Sequence, residues 1–266
     1  MGFSRLLKKA SLAGAFFVAA IWLPAAQAFC PAPQSLPVAQ VARVVDGDTL
    51  RLKDGRSVRM VGLNTPEIGR KGRKAEPFAE SARRRLQTLV NESAGTVALR
   101  IGAQKRDRYG RVLANVYGRN GVNFEAQLLS EGLGYLAAVS PNVALVDCQQ
   151  AAEQAARKAR RGLWRNSPVQ SAARVDRGGF ALVTGRVVSV LRNRAGIWIE
   201  LPGPLVLRIA PAHVGQFDAR QLSRLKGQRI EARGWVVDRA KRGGHKAGRA
   251  RWMLPITHPA MLSLTP

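Results

Sequence analysis

The residues best placed to do chemistry lie in VVDGDTLRLKDGRSVRMVGLNTPE (residues 44–67). Asp46, Asp48 and Glu67 gather there around Arg59, in a chain with only 17 acidic residues against 43 Lys and Arg. Asp48 opens a strand just after a tight turn, so its carboxylate sits on rigid backbone. Asn64 and Thr65 leave the end of another strand. If the strands form a meander, these ends meet. A carboxylate, an amide oxygen and a backbone carbonyl are hard oxygen donors of the kind Ca2+ takes, with water completing the shell. The DGD triplet alone reads at least as well as an ordinary hairpin turn.

Arg59 stands between Val58 and Met60 in an apolar run. A buried charge needs a partner, and Glu67 is a candidate, which makes a structural ion pair the plain account. KRDRYGRV (residues 105–112) supplies a second arginine, with Arg111 at a strand start after the bend at Gly110. Two fixed guanidinium groups, one carboxylate and a hard cation suit phosphodiester cleavage. The forks grip equatorial phosphate oxygens as charge grows on them, and the carboxylate orients or deprotonates a water. These residue types alone do not separate a hydrolase from a phosphate-binding module.

The elements that must position these groups follow from patterning. Residues 41–60 alternate strand and turn, with Asp-Gly at both reversals, and SVRMVGL continues as a third strand. A helix is predicted over about 77–90, with Phe78, Ala82, Leu86 and Leu89 on its apolar face. Strands at GTVALRIG and RVLANVYG follow, then a helix in NFEAQLLSEGLGYL ending near Gly132 and a long amphipathic one in DCQQAAEQAARKARRGLW ending at Gly162. Residues 166–179 read as a linker. Beyond it come three strands, a helix at HVGQFDARQLSRL and two more strands, the order of a small oligonucleotide-binding barrel. The fold class is therefore mainly β with α (α+β): an N-terminal five-stranded barrel with three helices, followed by a second small barrel.

VVDGDTLRL, VRMVGLNTPE and RDRYGRVLANVY resemble the signature blocks of the staphylococcal nuclease (thermonuclease) family, and the similarity runs from about Ala39 to Trp164. The resemblance implies a barrel of oligonucleotide-binding type over residues 39–165, with calcium-dependent hydrolysis of DNA and RNA that leaves 3′-phosphates. It assigns Arg59, Arg111 and Glu67 to catalysis. Asp48 becomes the main calcium ligand, with Thr65 binding through its carbonyl and Asn64 beside it. Arg108, Tyr109 and Lys71 are expected to meet substrate. The best-known member carries aspartate where this chain has Asn64, so weaker calcium affinity is expected. It also has tyrosines where this chain has Ala138 and Ser140, which moves base stacking elsewhere, Tyr135 included.

The rest of the chain constrains location and partners. Net charge is +26 and pI about 11.7, a balance that points to a polyanionic partner and says nothing about fold. DNA and RNA are the expected partners, and no protein partner is expected. Residues 1–28 have a basic start, an apolar core and a terminal AQA, the pattern of a signal peptide cleaved after Ala28. Export to the periplasm or medium follows, with no membrane span left in the mature chain. In an oxidising compartment Cys30 and Cys148 are expected to pair. Residues 180–266 form the expected accessory domain, whose Gly-rich basic loop DRAKRGGHKAGRAR (238–251) is flanked by Trp235 and Trp252. The alternative to an enzyme is a catalytically weak, nuclease-like nucleic-acid binder of the envelope or matrix.

Overall fold

The computed structural model describes residues 29–69, 72, 74–242 and 249–265. The expected signal peptide and Lys71 lie outside the described residues.

The first barrel is closed by β1 (Val38–Asp46), β2 (Thr49–Leu52), β3 (Ser57–Met60), β6 (Val112–Tyr117) and β5 (Thr96–Arg106), in the order β1-β2-β3-β6-β5. Every pairing is antiparallel except β3 with β6. Val58 and Met60 on β3, and Val112 and Ala114 on β6, point inward and are buried. Alternation then sends Arg59 and its register partner Leu113 to the outer face. Helix α1 (Ala79–Glu92) covers one side with Ala82, Leu86, Leu89 and Val90. It starts later than the sequence predicts, because Phe78 adopts φ 67° and serves as the N-cap. Phe78 is therefore outside the helix and not part of its apolar face.

The predicted third strand is divided. Gly62, at φ +81°, turns the chain out of the barrel, and β4 (Gly62–Asn64) pairs instead with β7 (Tyr135–Ala137). Between them in sequence, α2 spans Phe124–Ser130 and stops before Gly132, at φ +72°. Helix α3 (Val146–Lys158) follows. Cys148 on α3 is bonded to Cys30, with Cα atoms 5.3 Å apart, which ties the N-terminal lead to α3.

The second half repeats the strand order of the first. Its strands are β9 (Gly179–Arg186), β10 (Ser189–Asn193), β11 (Gly196–Glu200), β12 (Leu205–Ile209), β13 (Arg229–Asp238) and β14 (Trp252–Pro255). They run β10-β11-β12-β14-β13-β9, and β12 with β14 is the parallel pair. β9 and β10 are halves of one bent strand. At the bend the Val187 amide donates to Gln228 on one side, and the Val188 amide to Glu200 on the other. The sheet thus returns to its start around Val183, Ile197, Ile199, Leu207, Ile230 and Leu254. β15 (Leu262–Leu264) adds to β13. β8 (Val169–Ser171), from the segment read as a linker, adds to β9, and Ala172 and Val175 of that segment are buried in this core. The single helix predicted near residue 213 is two short ones, α4 (Pro211–Val214) and α5 (Ala219–Ser223), because Asp218 caps a new start by accepting from the Arg220 amide. Trp252 is core, while Trp235 packs edge-on against Phe180 with centroids 4.9 Å apart. Among the described residues no helix is long and apolar enough to cross a membrane.

Candidate active site

The site is assembled where the β1–β2 turn, the outer face of β3 and the end of β4 meet. Asp48 is buried, and its Oδ2 accepts from the Thr65 amide at 2.9 Å and the Thr65 hydroxyl at 3.1 Å. The same oxygen lies 3.1 Å from Nη2 of Arg59. The other carboxylate oxygen accepts from the Thr49 hydroxyl at 3.2 Å. In the turn below, the Asp48 amide donates to Asp46 at 3.2 Å. Burial, with the Asp48 charge beside it, pushes the Asp46 carboxyl up to about 6. Two carboxyl groups are thus held close enough that one resists ionising.

Arg59 is fixed on both terminal nitrogens. Nη1 donates to the carbonyls of Met60 at 2.5 Å and Leu63 at 2.9 Å, and Nη2 reaches Asn64 Oδ1 at 3.4 Å besides Asp48. A carboxylate partner of Arg59 is Asp48, eleven residues before it in the chain. Both side chains of the pair are about nine-tenths buried, so the geometry of the guanidinium plane is set by the fold.

Asn64 and Thr65 are buried beside Asp48 as the spacing predicts. Glu67 is exposed, and its amide donates to Glu76 at 2.9 Å while its carbonyl accepts from the Glu76 amide at 3.0 Å. Arg111 precedes β6, on the same outward alternation as Leu113, which faces Arg59 in register. Its Nε donates to Asp107 at 2.7 Å, and the Arg111 amide donates to the other oxygen of that carboxylate at 2.9 Å. Burial alone would push Asp107 up, but the hydrogen bonds from Arg111 prevail and hold it below the usual carboxylate range. Asp107 is the residue the sequence reading missed. Its signal was the four-residue spacing across a turn that ends in Gly110.

Arg108 and Tyr109 sit at the tip of the same turn. Nη2 of Arg108 donates to the Tyr109 hydroxyl at 2.7 Å, and the ring, mostly exposed, has the Arg108 and Arg111 guanidinium carbons 4.8 and 5.6 Å from its centroid. Tyr109 and Arg111 line an open cleft of about 520 Å3 with Arg51 and Arg56 from the β2–β3 hairpin and Arg106 from β5. Tyr135 takes no part in such a surface. Its ring is stacked on Phe180 and edge-on to Trp164, at 5.9 and 5.7 Å.

The donors around Asp48 suit a hard cation. All are oxygens, and the crowded Asp46–Asp48 pair would be relieved by positive charge. Among the described residues no group of three or more His, Cys, Asp and Glu is placed to hold a metal ion, so any ligand set here combines a carboxylate with amide and backbone oxygens.

The chain matches the family described as Staphylococcal nuclease homologue over residues 57–166. It is 35% identical over 130 residues to Endonuclease YncB of Bacillus subtilis, covering 47% of this chain and 60% of that protein. It is 35% identical to the SPbeta prophage-derived endonuclease YokF of the same organism, over 46% of this chain and 42% of the relative. It is 33% identical over 132 residues to the Thermonuclease of Staphylococcus hyicus, covering 48% of this chain and 75% of the relative. The chain thus spans less than two thirds of the length of these two Bacillus proteins.

Proposed function

The chain belongs to the staphylococcal nuclease family, and from that premise we propose that it is an exported, calcium-dependent nuclease hydrolysing phosphodiester bonds of DNA and RNA to 3′-phosphate products. The observation that supports this reading is the meeting of Asp48 from the β1–β2 turn, Arg59 from β3, and Asn64 and Thr65 from the end of β4.

In this reading Asp48, Asn64 and the Thr65 carbonyl hold calcium, with Asp46 assisting through water. When bound, the ion supplies positive charge beside the phosphate oxygens. Arg59 keeps Nη1 on the Met60 and Leu63 carbonyls and offers Nη2 and Nε to the phosphate, in place of Asn64 and Asp48, whose oxygens calcium would take. Arg111, held by Asp107, meets the phosphate from the β5–β6 turn. Glu67 takes a proton from the attacking water, whose oxygen bonds to phosphorus as the bond to the 5′-oxygen breaks. Both arginines bind more tightly as charge accumulates on the equatorial oxygens, so their contribution is greatest in the transition state. The cleft lined by Arg51, Arg56, Arg106 and Tyr109 holds the adjoining backbone, and Arg108 flanks it.

The test is degradation of plasmid and single-stranded DNA by wild type and Glu67→Gln, with calcium or with excess chelator. Wild type should degrade both only with calcium, and Glu67→Gln should slow cutting by roughly a hundred- to ten-thousandfold. Absence of chelator-sensitive degradation would leave the alternative, a nuclease-like nucleic-acid binder. Calorimetry of Asn64→Asp should show tighter calcium binding than wild type, since a second ligand charge is restored.

A further inference from the structure

The outer face of the second barrel carries a feature that the chemistry of the first does not use. Trp198 lies on β11, opposite Leu191 on β10 and Arg208 on β12. Its neighbours Ile197 and Ile199 are buried, so alternation turns Trp198 outward. The Arg208 guanidinium carbon is 5.2 Å from the indole centroid, and that of Arg239, from the β13–β14 connection, is 5.5 Å away. All three groups are held in place. Nε and Nη2 of Arg208 donate to the Ala195 carbonyl at 3.2 and 2.9 Å. Nη1 of Arg239 donates to the Ala250 carbonyl at 2.8 Å, and the indole N–H donates to Asn193 Oδ1 at 3.3 Å.

Trp198, Asn193 and Arg239, with Val188 and Arg249, border an open cavity of about 640 Å3, and Arg208 flanks the indole beside it. The one carboxylate among its described lining residues, Glu200, accepts from the Ser189 hydroxyl at 2.6 Å. Arg192 and Arg194 are exposed on the adjoining hairpin. The occupant must therefore offer flat aromatic faces together with repeated negative charge. Duplex nucleic acid hides its base faces in the stack, whereas an unpaired strand exposes them.

We propose that this row binds a single-stranded segment of nucleic acid, with an unpaired base against Trp198 and the flanking phosphates on Arg208, Arg239 and Arg249. The inference shares with the nuclease reading only its nucleic-acid partner. Sequence reading had placed the aromatics of this domain at Trp235 and Trp252. The structure buries Trp252 beneath Arg251 and leaves Trp235 exposed with its edge on Phe180, while the half-buried Trp198 has two arginines over its ring.

The experiment measures anisotropy of a fluorescein-labelled oligothymidylate of roughly 20 nucleotides binding the full chain in chelator, so that cleavage does not intervene. Trp198→Ala should weaken binding about ten- to a hundredfold, and Trp198→Phe should restore most of it. Arg208→Gln should reduce the salt slope by about one. Heparin, a polyanion without bases, should bind Trp198→Ala as it binds wild type. An oligonucleotide carrying 5-iodouridine should crosslink wild type at Trp198 on irradiation. Unchanged oligothymidylate binding by Trp198→Ala, an equal loss for heparin or for a duplex of the same length, or crosslinks confined to other residues would each overturn the proposal. Failure of the nuclease reading would show separately, as absent calcium-dependent cutting with this binding pattern intact.

Discussion

Arg59 shows how much a single side chain is constrained here. A guanidinium has five N–H donors, and the two terminal nitrogens of Arg59 already meet two carbonyls, an amide oxygen and a carboxylate. Lysine has one nitrogen and cannot span those acceptors. Arg59→Lys should therefore fold but lose roughly a hundred- to a thousandfold in kcat; near-normal turnover with intact circular dichroism would refute that role. Glu125 on α2 poses a different problem. It is fully buried, accepting from the Val116 amide at 2.9 Å and from Asn123 Nδ2 at 2.7 Å. Burial pushes its carboxyl from the ordinary 4.5 up to about 8, although those hydrogen bonds oppose the rise. Between these values the folded chain keeps a proton that the unfolded chain has released. Stability contributed by this residue is thus full below about pH 4.5 and falls as pH rises towards 8, by at most about 1.4 kcal/mol per unit. Urea unfolding of Glu125→Gln should show a flatter profile than wild type from pH 5 to 8, and parallel profiles would contradict this.

At the scale of elements, the site depends on where one strand stops and the next begins. Gly62 separates β3 from β4 at φ +81°, and a Cβ there would lie 1.9 Å from Gln149 Oε1 on α3. Gln149 in turn donates from Nε2 to the Val61 carbonyl at 3.2 Å. Gly62→Ala combines left-handed strain with a displaced buried amide. It should destabilise by about 1–3 kcal/mol and reduce activity further than stability alone accounts for, because Asn64 and Thr65 follow directly. Chemical denaturation together with turnover at a temperature where the variant is folded would check both parts. The parallel β3–β6 pairing does the complementary work. It brings Arg59 beside the strand that Arg111 precedes, although 52 positions of chain separate them.

Across the whole molecule, the second barrel is built onto the first through α3 and β7. Arg233 on β13 lies 2.5 Å from Glu153 on α3 and 2.9 Å from Glu231, and Arg157 of α3 returns to Glu231 at 2.6 Å. Burial pushes Glu231 up, but hydrogen bonds from Arg157 and the charges of Arg233 and Arg157 outweigh it and leave the carboxyl below its usual range. Removing Arg233 would leave two buried carboxylates short of a partner. Arg233→Ala should cost about 3–5 kcal/mol in urea unfolding, and a loss below about 1 kcal/mol would show that the network does not support the interface. The same interface explains the changed residues near 138. The Ala138 amide donates to Met261 Sδ at 3.1 Å, and the Ser140 hydroxyl meets the Thr257 carbonyl and Gln216 at 2.8 Å each. Of the positions that the family resemblance would give to nucleotide contact, Ala138 is buried against the second barrel and Ser140 is half-buried with its hydroxyl bonded to it.

The sequence by itself determined what short-range physics controls. Asp-Gly turns, alternating apolar strands and the order of elements were legible, as was the meeting of Asp48 with Asn64 and Thr65, because each of these lies at a turn or strand end. The Cys30–Cys148 pairing was legible too, since two cysteines leave one partner each. Tertiary structure decided the rest. Which carboxylate faces Arg59, which acid holds Arg111, why Glu125 stays buried, and which tryptophan gathers two arginines over its ring all depend on strand register and on packing between barrels. Those are sums of contacts between residues far apart along the chain, and no local spacing encodes them.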